Sequence, residues 1–409
     1  MPHPKVQKSH DRNRGRVWCA VWFGGLALAV LLTSCAPKPP HEFAEIAPGL
    51  GYTNSRLTGQ PLFIQVVRLD RQRSDLEFHS THANGTTLGL TRISEQIEAL
   101  RPDLGTPLVA VNGDYYQYKG KPYPGDPRGV QIVDGELISA PSGGVALWFD
   151  ASGQPRVTNV ASAFCVTWPD GSKTKIGLNE ARPPTNAVLY TPGLGAASTG
   201  TSNGLELVLE REGDSPWFPL HVGDVVTARV REVCPFGDTL ITPDIMVLSV
   251  GGKLAAKLPA VESGSVVTLS LNTVPDLTGV RTAIGGGPIL ASHGKKVKLP
   301  DAPLGTLGTN STAPYEFSSM TERHPRTAVG WNRDYFYFVL VDGRQKGLSR
   351  GMTLDELSAY MRRLGCQDVM NLDGGGSATL WCKGEIRNSP SEGEERVIAN
   401  ALVAVRKPR

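Results

Sequence analysis

The chain is 409 residues long, with 40% hydrophobic and 20% charged residues, values of a globular protein able to bury a large core. Its net charge of +3 is concentrated at the start, where Lys5, Lys8, Arg12, Arg14 and Arg16 crowd together, and the remainder is close to neutral. That balance excludes a nucleic-acid binder with a broad basic surface, and no long like-charge tail is present.

Residues 1–35 read as an address. A basic region precedes the apolar run 17–32 and then Leu32-Thr-Ser-Cys35, where small residues before a cysteine mark a cleavage site. The spacing resembles a bacterial lipobox, which implies that Cys35 is the lipidated first residue of the mature protein. The alternative is an uncleaved anchor. Either way the rest of the chain lies outside the cytoplasm, and the lipobox reading gives an exported protein of the cell envelope, lipid-anchored to a bacterial membrane. Residues 36–59, opening with Ala36-Pro-Lys-Pro-Pro40, read as a tether. Residues 60–405 carry the folded domain, with no further stretch apolar enough to span a bilayer.

Within that domain, residues 61–69 predict an early strand. Ile93, Ile97 and Leu100 recur at helical spacing, so 91–100 predicts a helix buried on one face. Residues 107–111 form a buried strand running into Asn112-Gly-Asp114, followed by a hairpin-like region to Leu137 rich in tyrosine, proline and glycine. From 145 to 249 the chain is strand-rich: 146–149, 187–190, 205–209 and 225–230 carry β-branched or alternating patterns. Another strand begins at Val266 and leads to Ala283-Ile-Gly-Gly-Gly-Pro-Ile-Leu290. Residues 300–321 are long and polar for a loop, as lids and binding segments are. Residues 335–341 form an apolar strand ending in Asp342-Gly-Arg344. Thr353 and Glu356 make a capping box for a helix whose apolar face is Leu354, Leu357, Met361 and Leu364, with Gly365 placed to end it. The expected fold class is α+β, with mixed, β-rich sheets and a few packed helices.

Cysteines outside the leader are Cys165, Cys234, Cys366 and Cys382. In an exported protein four cysteines suggest two disulfides, with three connectivities open. Cys366–Cys382 is favoured because it would staple the base of the glycine-rich stretch, leaving Cys165–Cys234. No C-x-x-C spacing points to a metal.

The chemistry concentrates at 369–380. Asn371 and Asp373 are two apart, so both face the same way on an extended chain. Gly374, Gly375 and Gly376 then leave backbone N–H groups open to a ligand, although a tight hairpin turn uses the same residue types. Three buried strands end alike, in Asn112-Gly-Asp114, Asp342-Gly-Arg344 and Asn371-Leu-Asp-Gly374. If they share a sheet and a direction, their ends meet on one edge, where such sheets bind ligands. Three carboxylates, two amides and an arginine suit an anionic sugar or a phosphate ester. No P-loop lysine and no nucleophile elbow is present. No cofactor is expected; a divalent ion on Asp114, Asp342 and Asp373 is conceivable but not favoured.

Asn371-Leu-Asp-Gly-Gly-Gly-Ser-Ala-Thr379 resembles the signature of the phosphodiester glycosidase family, which includes bacterial exopolysaccharide-related proteins. Arg326-Thr-Ala-Val-Gly-Trp331, Val341-Asp-Gly-Arg344, Asn388-Ser-Pro-Ser391, Arg396 and Asn400-Ala-Leu402 stand in the family's order, as do Asn112-Gly-Asp-Tyr-Tyr116 and Ile284-Gly-Gly-Gly-Pro288. The resemblance implies that 60–405 is a catalytic domain cleaving a sugar-1-phosphodiester, such as a GlcNAc-1-phosphodiester, in a phosphorylated envelope or extracellular glycan. It implies Asp373 as base or nucleophile, with Asp114 and Asp342 as alternates. Arg326 and Arg344 would pair with the phosphate, and the 374–376 amides would hold an oxygen. Ser377, Thr379, Asn112 and Asn371 would orient hydroxyls. The alternative function is a glycan-binding lipoprotein of exopolysaccharide assembly that cleaves nothing.

Overall fold

The alternation along strand Tyr335–Val341 explains the centre of the fold. Phe336, Phe338 and Leu340 face one core while Tyr337, Val339 and Val341 face another, so a sheet buried on both sides reads as one continuous apolar run. The structure is a computed structural model that describes residues 42–57, 59–118, 123–299 and 317–408. The leader, Cys35, residues 36–41 of the tether and residues 300–316 of the long polar segment lie outside the described residues.

Tyr335–Val341 belongs to an eight-stranded sheet, in spatial order Ala44–Ala47, Leu50–Leu57, Leu62–Asp70, Tyr335–Val341, Arg326–Trp331, Asp368–Asn371, Ile289–Ser292 and Lys295–Lys296. One face packs through Val67, Phe336, Phe338 and Met370 against Val109, Val111, Leu380 and Leu402 of a five-stranded sheet. Leu147 and Ile284 of a six-stranded sheet close the same core. The other face is covered by helix Leu354–Arg363, which buries Leu354, Leu357, Tyr360 and Met361. A third core fills a closed seven-stranded barrel formed by segments between Cys165 and Ser270, lined by Leu189, Leu207, Val226, Leu248 and Leu269.

The expected helices form. Ile93–Glu98 is helical and buries Ile93 and Ile97. At Leu354–Arg363 the capping box is complete, with Glu356 N–H donating to Thr353 Oγ1 (3.2 Å) and Thr353 N–H to Glu356 Oε2 (3.0 Å). Gly365 ends the helix at φ +92°, a conformation that suits glycine. The fold is β-rich with few helices, as expected, but more β than the expected α+β class, and the barrel is its one mixed sheet among the described residues. Among the described residues every strand pairing is antiparallel except Lys173–Leu178 with Ala187–Tyr190. Short strands joined by turns favour antiparallel neighbours, whereas parallel ones need long crossovers. Among the described residues no helix is long and apolar enough to cross a membrane.

The disulfides do not form: Cys165, Cys234, Cys366 and Cys382 are free thiols. Cys366 lies in the core under the helix, while Cys382 lies in the core on the opposite side of the eight-stranded sheet. Cys165 sits opposite Ser270, which also pairs with Val225; Cys234 is at the far end of that strand, roughly 30 Å away along an extended chain. A bridge needs Cα atoms within about 7 Å.

Two measurements check this account. Thr353→Ala removes the side-chain cap and should lower stability by about 1 kcal/mol in urea denaturation. Denatured without reductant, the chain from residue 36 onward should expose these four thiols to a thiol reagent, whereas two or none would restore the disulfide reading.

Candidate active site

The site forms where two sheets meet. Strands Tyr335–Val341 and Asp368–Asn371 both run antiparallel to Arg326–Trp331 between them, so they point the same way and leave the eight-stranded sheet at one edge. The third expected strand, Thr106–Asn112, comes from the five-stranded sheet. Asn112 joins the two. Its Nδ2 donates to Asp373 O (2.7 Å), and its Oδ1 accepts from Thr327 Oγ1 (2.6 Å) and Thr379 N–H (3.1 Å).

Asp373 is the carboxylate that this junction presents, and it keeps part of its surface open. Its backbone N–H donates to Gly113 O (3.0 Å), and Gly374 N–H donates to Asp373 Oδ1 (2.8 Å). The loop then makes a 3-10 turn over Gly375–Ser377. Burial pushes the Asp373 carboxyl up to about 6, against opposing contributions from the Ser377 hydroxyl, Gly374 N–H, Arg396 and Arg344.

Asp114 stands behind it, 2% exposed. Burial raises it to about 7, although Gly129 N–H (2.7 Å) and Tyr115 N–H (2.8 Å) donate to its carboxylate; the charge of Asp373 pushes it further up. Asp342 is also buried and raised to about 6, and Asn388 Nδ2 (3.2 Å) and Ser389 N–H (3.0 Å) donate to its Oδ1. Its Oδ2 has no partner among the described residues. Asn388 also donates to Ala378 O (3.1 Å), so Asp342 acts on the glycine loop through an intermediary. Among the described residues no group of three or more His, Cys, Asp or Glu side chains is placed to hold a metal ion.

The remaining expected residues divide into scaffold and surface. Asn371 is buried, its Nδ2 donating to Tyr115 Oη (2.9 Å) and Gly287 O (2.9 Å). Thr379 and Ser377 are buried as well. Arg326 is 4% exposed, and its guanidinium is committed to main-chain carbonyls: Nε to Met352 O (2.9 Å), Nη2 to Glu322 O (2.9 Å) and to Ser319 O. Such a group ties strand to loop and has little left for a phosphate.

Arg344 faces the loop. A Cβ on Gly375 would lie 3.1 Å from both its Nη atoms, and Arg344 itself adopts φ +60°, a costly conformation for a side chain of this size. His324 steadies it. Arg344 Nη2 lies 3.1 Å from His324 Nδ1, which must accept because guanidinium only donates. His324 Nε2 therefore carries the proton and faces Glu322 (3.3 Å). Burial first, then Arg326 and Arg344, lower the His324 pKa, keeping the ring neutral.

Sequence reasoning gave no site role to His324 or Arg396. Arg396 lies on the loop, its guanidinium against the place a Cβ on Gly376 would take, and its Cζ stands 5.7 Å from the Tyr118 ring centroid. Its signal was its place among the family's landmarks; the His324 side chain had none, because its role depends on Arg344. The assembled site is thus a raised carboxylate, Asp373, with two arginines over a glycine-bare backbone.

Residues 224–405 match the family model for phosphodiester glycosidases. The resemblance drawn from the motifs therefore holds, and the matched region contains Asp342, Arg344, Asp373 and Arg396. The chain is also 29% identical over 158 residues to N-acetylglucosamine-1-phosphodiester alpha-N-acetylglucosaminidase of Mus musculus, a match spanning 36% of this chain and 29% of the mouse protein. In fold, it resembles a protein from Synechocystis (TM-score 0.69, 18% identity, 90% of this chain and 64% of that one). It also resembles one from Burkholderia pseudomallei (TM-score 0.63, 22% identity, 84% and 74%). In these two the likeness is of fold alone.

Asp114 and Asp373 interact, so they titrate as a pair with values near 7 and 6. A carboxyl raised above its unfolded value of about 4 makes the folded state bind more protons, so the pair costs stability as pH rises from about 4 to about 7. The stability difference between Asp114→Asn and the parent should therefore move in the variant's favour from about pH 5 to pH 8. Thermal melts of both proteins test this; a pH-independent difference would contradict a raised Asp114.

Proposed function

We propose that this chain hydrolyses a sugar-1-phosphodiester, of the GlcNAc-1-phosphodiester kind, in envelope or extracellular glycans. The observation that carries the reading is Asp373, a carboxylate raised to about 6 on a glycine loop flanked by Arg344 and Arg396. The family match supports the hydrolase class, and the mouse relative's name supports the substrate class. The basic leader and the lipobox-like segment ending at Cys35 support export and a lipid anchor.

In this reaction the oxygen of water bonds to the anomeric carbon while the bond from that carbon to the phosphate oxygen breaks. The electron pair leaves with a phosphate monoester. Acting as base, Asp373 takes the proton of the attacking water. A phosphate monoester departs readily, so strong protonation of the leaving oxygen matters less than in ordinary glycoside hydrolysis. That suits a site whose second raised carboxyl, Asp114, is buried behind the first. Arg344 and Arg396 would take the phosphate oxygens by paired N–H donation.

Incubating the purified protein with UDP-GlcNAc and with a GlcNAc-1-phosphodiester should release free sugar. Asp373→Ala should lower kcat on the order of 10²- to 10⁴-fold. Binding of these diesters without sugar release, across a panel of sugars, would instead favour the glycan-binding lipoprotein.

A further inference from the structure

Glu392 makes a contact that the proposed reaction does not use. It sits in the turn that follows Pro390, where Gly393 N–H donates to Pro390 O (3.0 Å). Its carboxylate takes both prongs of Arg396: Nε donates to Oε2 at 3.0 Å, and Nη2 donates to Oε1. The pair lies on the bare backbone of the glycine loop, since a Cβ on Gly376 would stand 2.5 Å from Glu392 Oε1. Arg396 first, through that hydrogen bond, and Arg344 through its charge hold Glu392 below the usual carboxylate range. An ionised group of this chain therefore stands over the glycine backbone, within the field of both arginines.

A carboxylate forked onto a guanidinium presents much the same two oxygens as a phosphodiester would. We infer that Glu392 is a specificity-determining residue that occupies the phosphate's place, so that a phosphodiester enters only by exchanging with it on Arg396. The inference rests on the reading of this loop as a phosphodiester site. Exchange is feasible because the Glu392 side chain is 45% exposed and Arg396 is its only side-chain hydrogen-bond partner among the described residues. Exposed ion pairs are weak and easily broken. Arg326, buried on main-chain carbonyls, has no such freedom.

The consequence is selection. A small anion such as inorganic phosphate must displace Glu392 with nothing else to gain. A glycosyl phosphodiester brings sugar contacts that compensate for the exchange. If Glu392 stayed in place, its charge would stand beside Asp373 against an anionic ligand, a juxtaposition of like charges that binding disfavours.

Calorimetry with inorganic phosphate and with a methyl diester of GlcNAc-1-phosphate tests the idea on the whole protein, as wild type, Glu392→Gln and Glu392→Gln/Arg396→Gln. Glu392→Gln should bind phosphate roughly threefold to tenfold more tightly than wild type, a gain sized to an exposed ion pair. The double variant should lose that gain. For the diester the gain should appear in KM rather than kcat. Equal or weaker phosphate binding by Glu392→Gln, or a gain that persists without Arg396, overturns the inference. Tight diester binding without cleavage, with the Glu392→Gln gain intact, sinks the hydrolase reading and leaves this inference standing. Failure of every protein to bind either anion overturns both.

Discussion

The structure depends on the carboxamide of Asn112. It is 1% exposed and satisfies a carbonyl, a hydroxyl and a backbone N–H at once, on Asp373, Thr327 and Thr379. Two of these partners belong to the segment that carries the glycine loop, and the third to the central strand of the eight-stranded sheet. No apolar side chain could hold that junction, because it would leave three buried polar groups without partners, each a cost of about 1–3 kcal/mol. The amide therefore fixes where the loop leaves the sheets, and with it the position of Asp373.

Around that junction the protein separates groups that hold from groups that act. Arg326, Asp342, Asn371 and Thr379 are buried: Arg326 and Asn371 donate mainly to main-chain carbonyls, Asp342 accepts from Asn388 Nδ2 and Ser389 N–H, and Thr379 is held through its backbone N–H on Asn112 Oδ1. Arg344, Arg396 and Asp373 retain solvent access and meet one another over the loop. The division follows from solvation. A buried guanidinium must spend its donors on carbonyls to remain charged, and its pKa still falls to about 10. An arginine left at the surface can give its donors to a ligand.

Much of this was legible in residue order. Strand Tyr335–Val341, strand Ala187–Tyr190 and the capped helix at Leu354–Arg363 form as their patterns require, because periodicity reports which side chains are buried. Periodicity does not report which sheet a strand joins. The closure of the barrel was therefore not legible, nor was the placement of Asn112 and Asp342 in different sheets. The cysteines misled for the same reason: Cys366 and Cys382 are near in sequence, yet a sheet lies between them. At the site, Arg326 and Arg396 are chemically identical in sequence. What distinguishes them is burial, the one property that pairing a motif with a residue type leaves out.

The three glycines illustrate how the structure sharpens such a reading. Their lack of Cβ atoms suggested a backbone open to a ligand or a tight turn, and each glycine turns out to have its own constraint. A Cβ on Gly374 would stand 2.7 Å from Pro325 O, whose carbonyl accepts Gly375 N–H at 3.0 Å. Gly375 lies at φ +60° beneath the Arg344 guanidinium, and Gly376 carries Arg396 and Glu392 against its bare Cα. A side chain at 374 would push on the turn itself, and one at 376 would lift Arg396 away from Asp373. The absent side chains therefore serve first to let this chain's own cations settle on the loop, and through them determine what anion can follow.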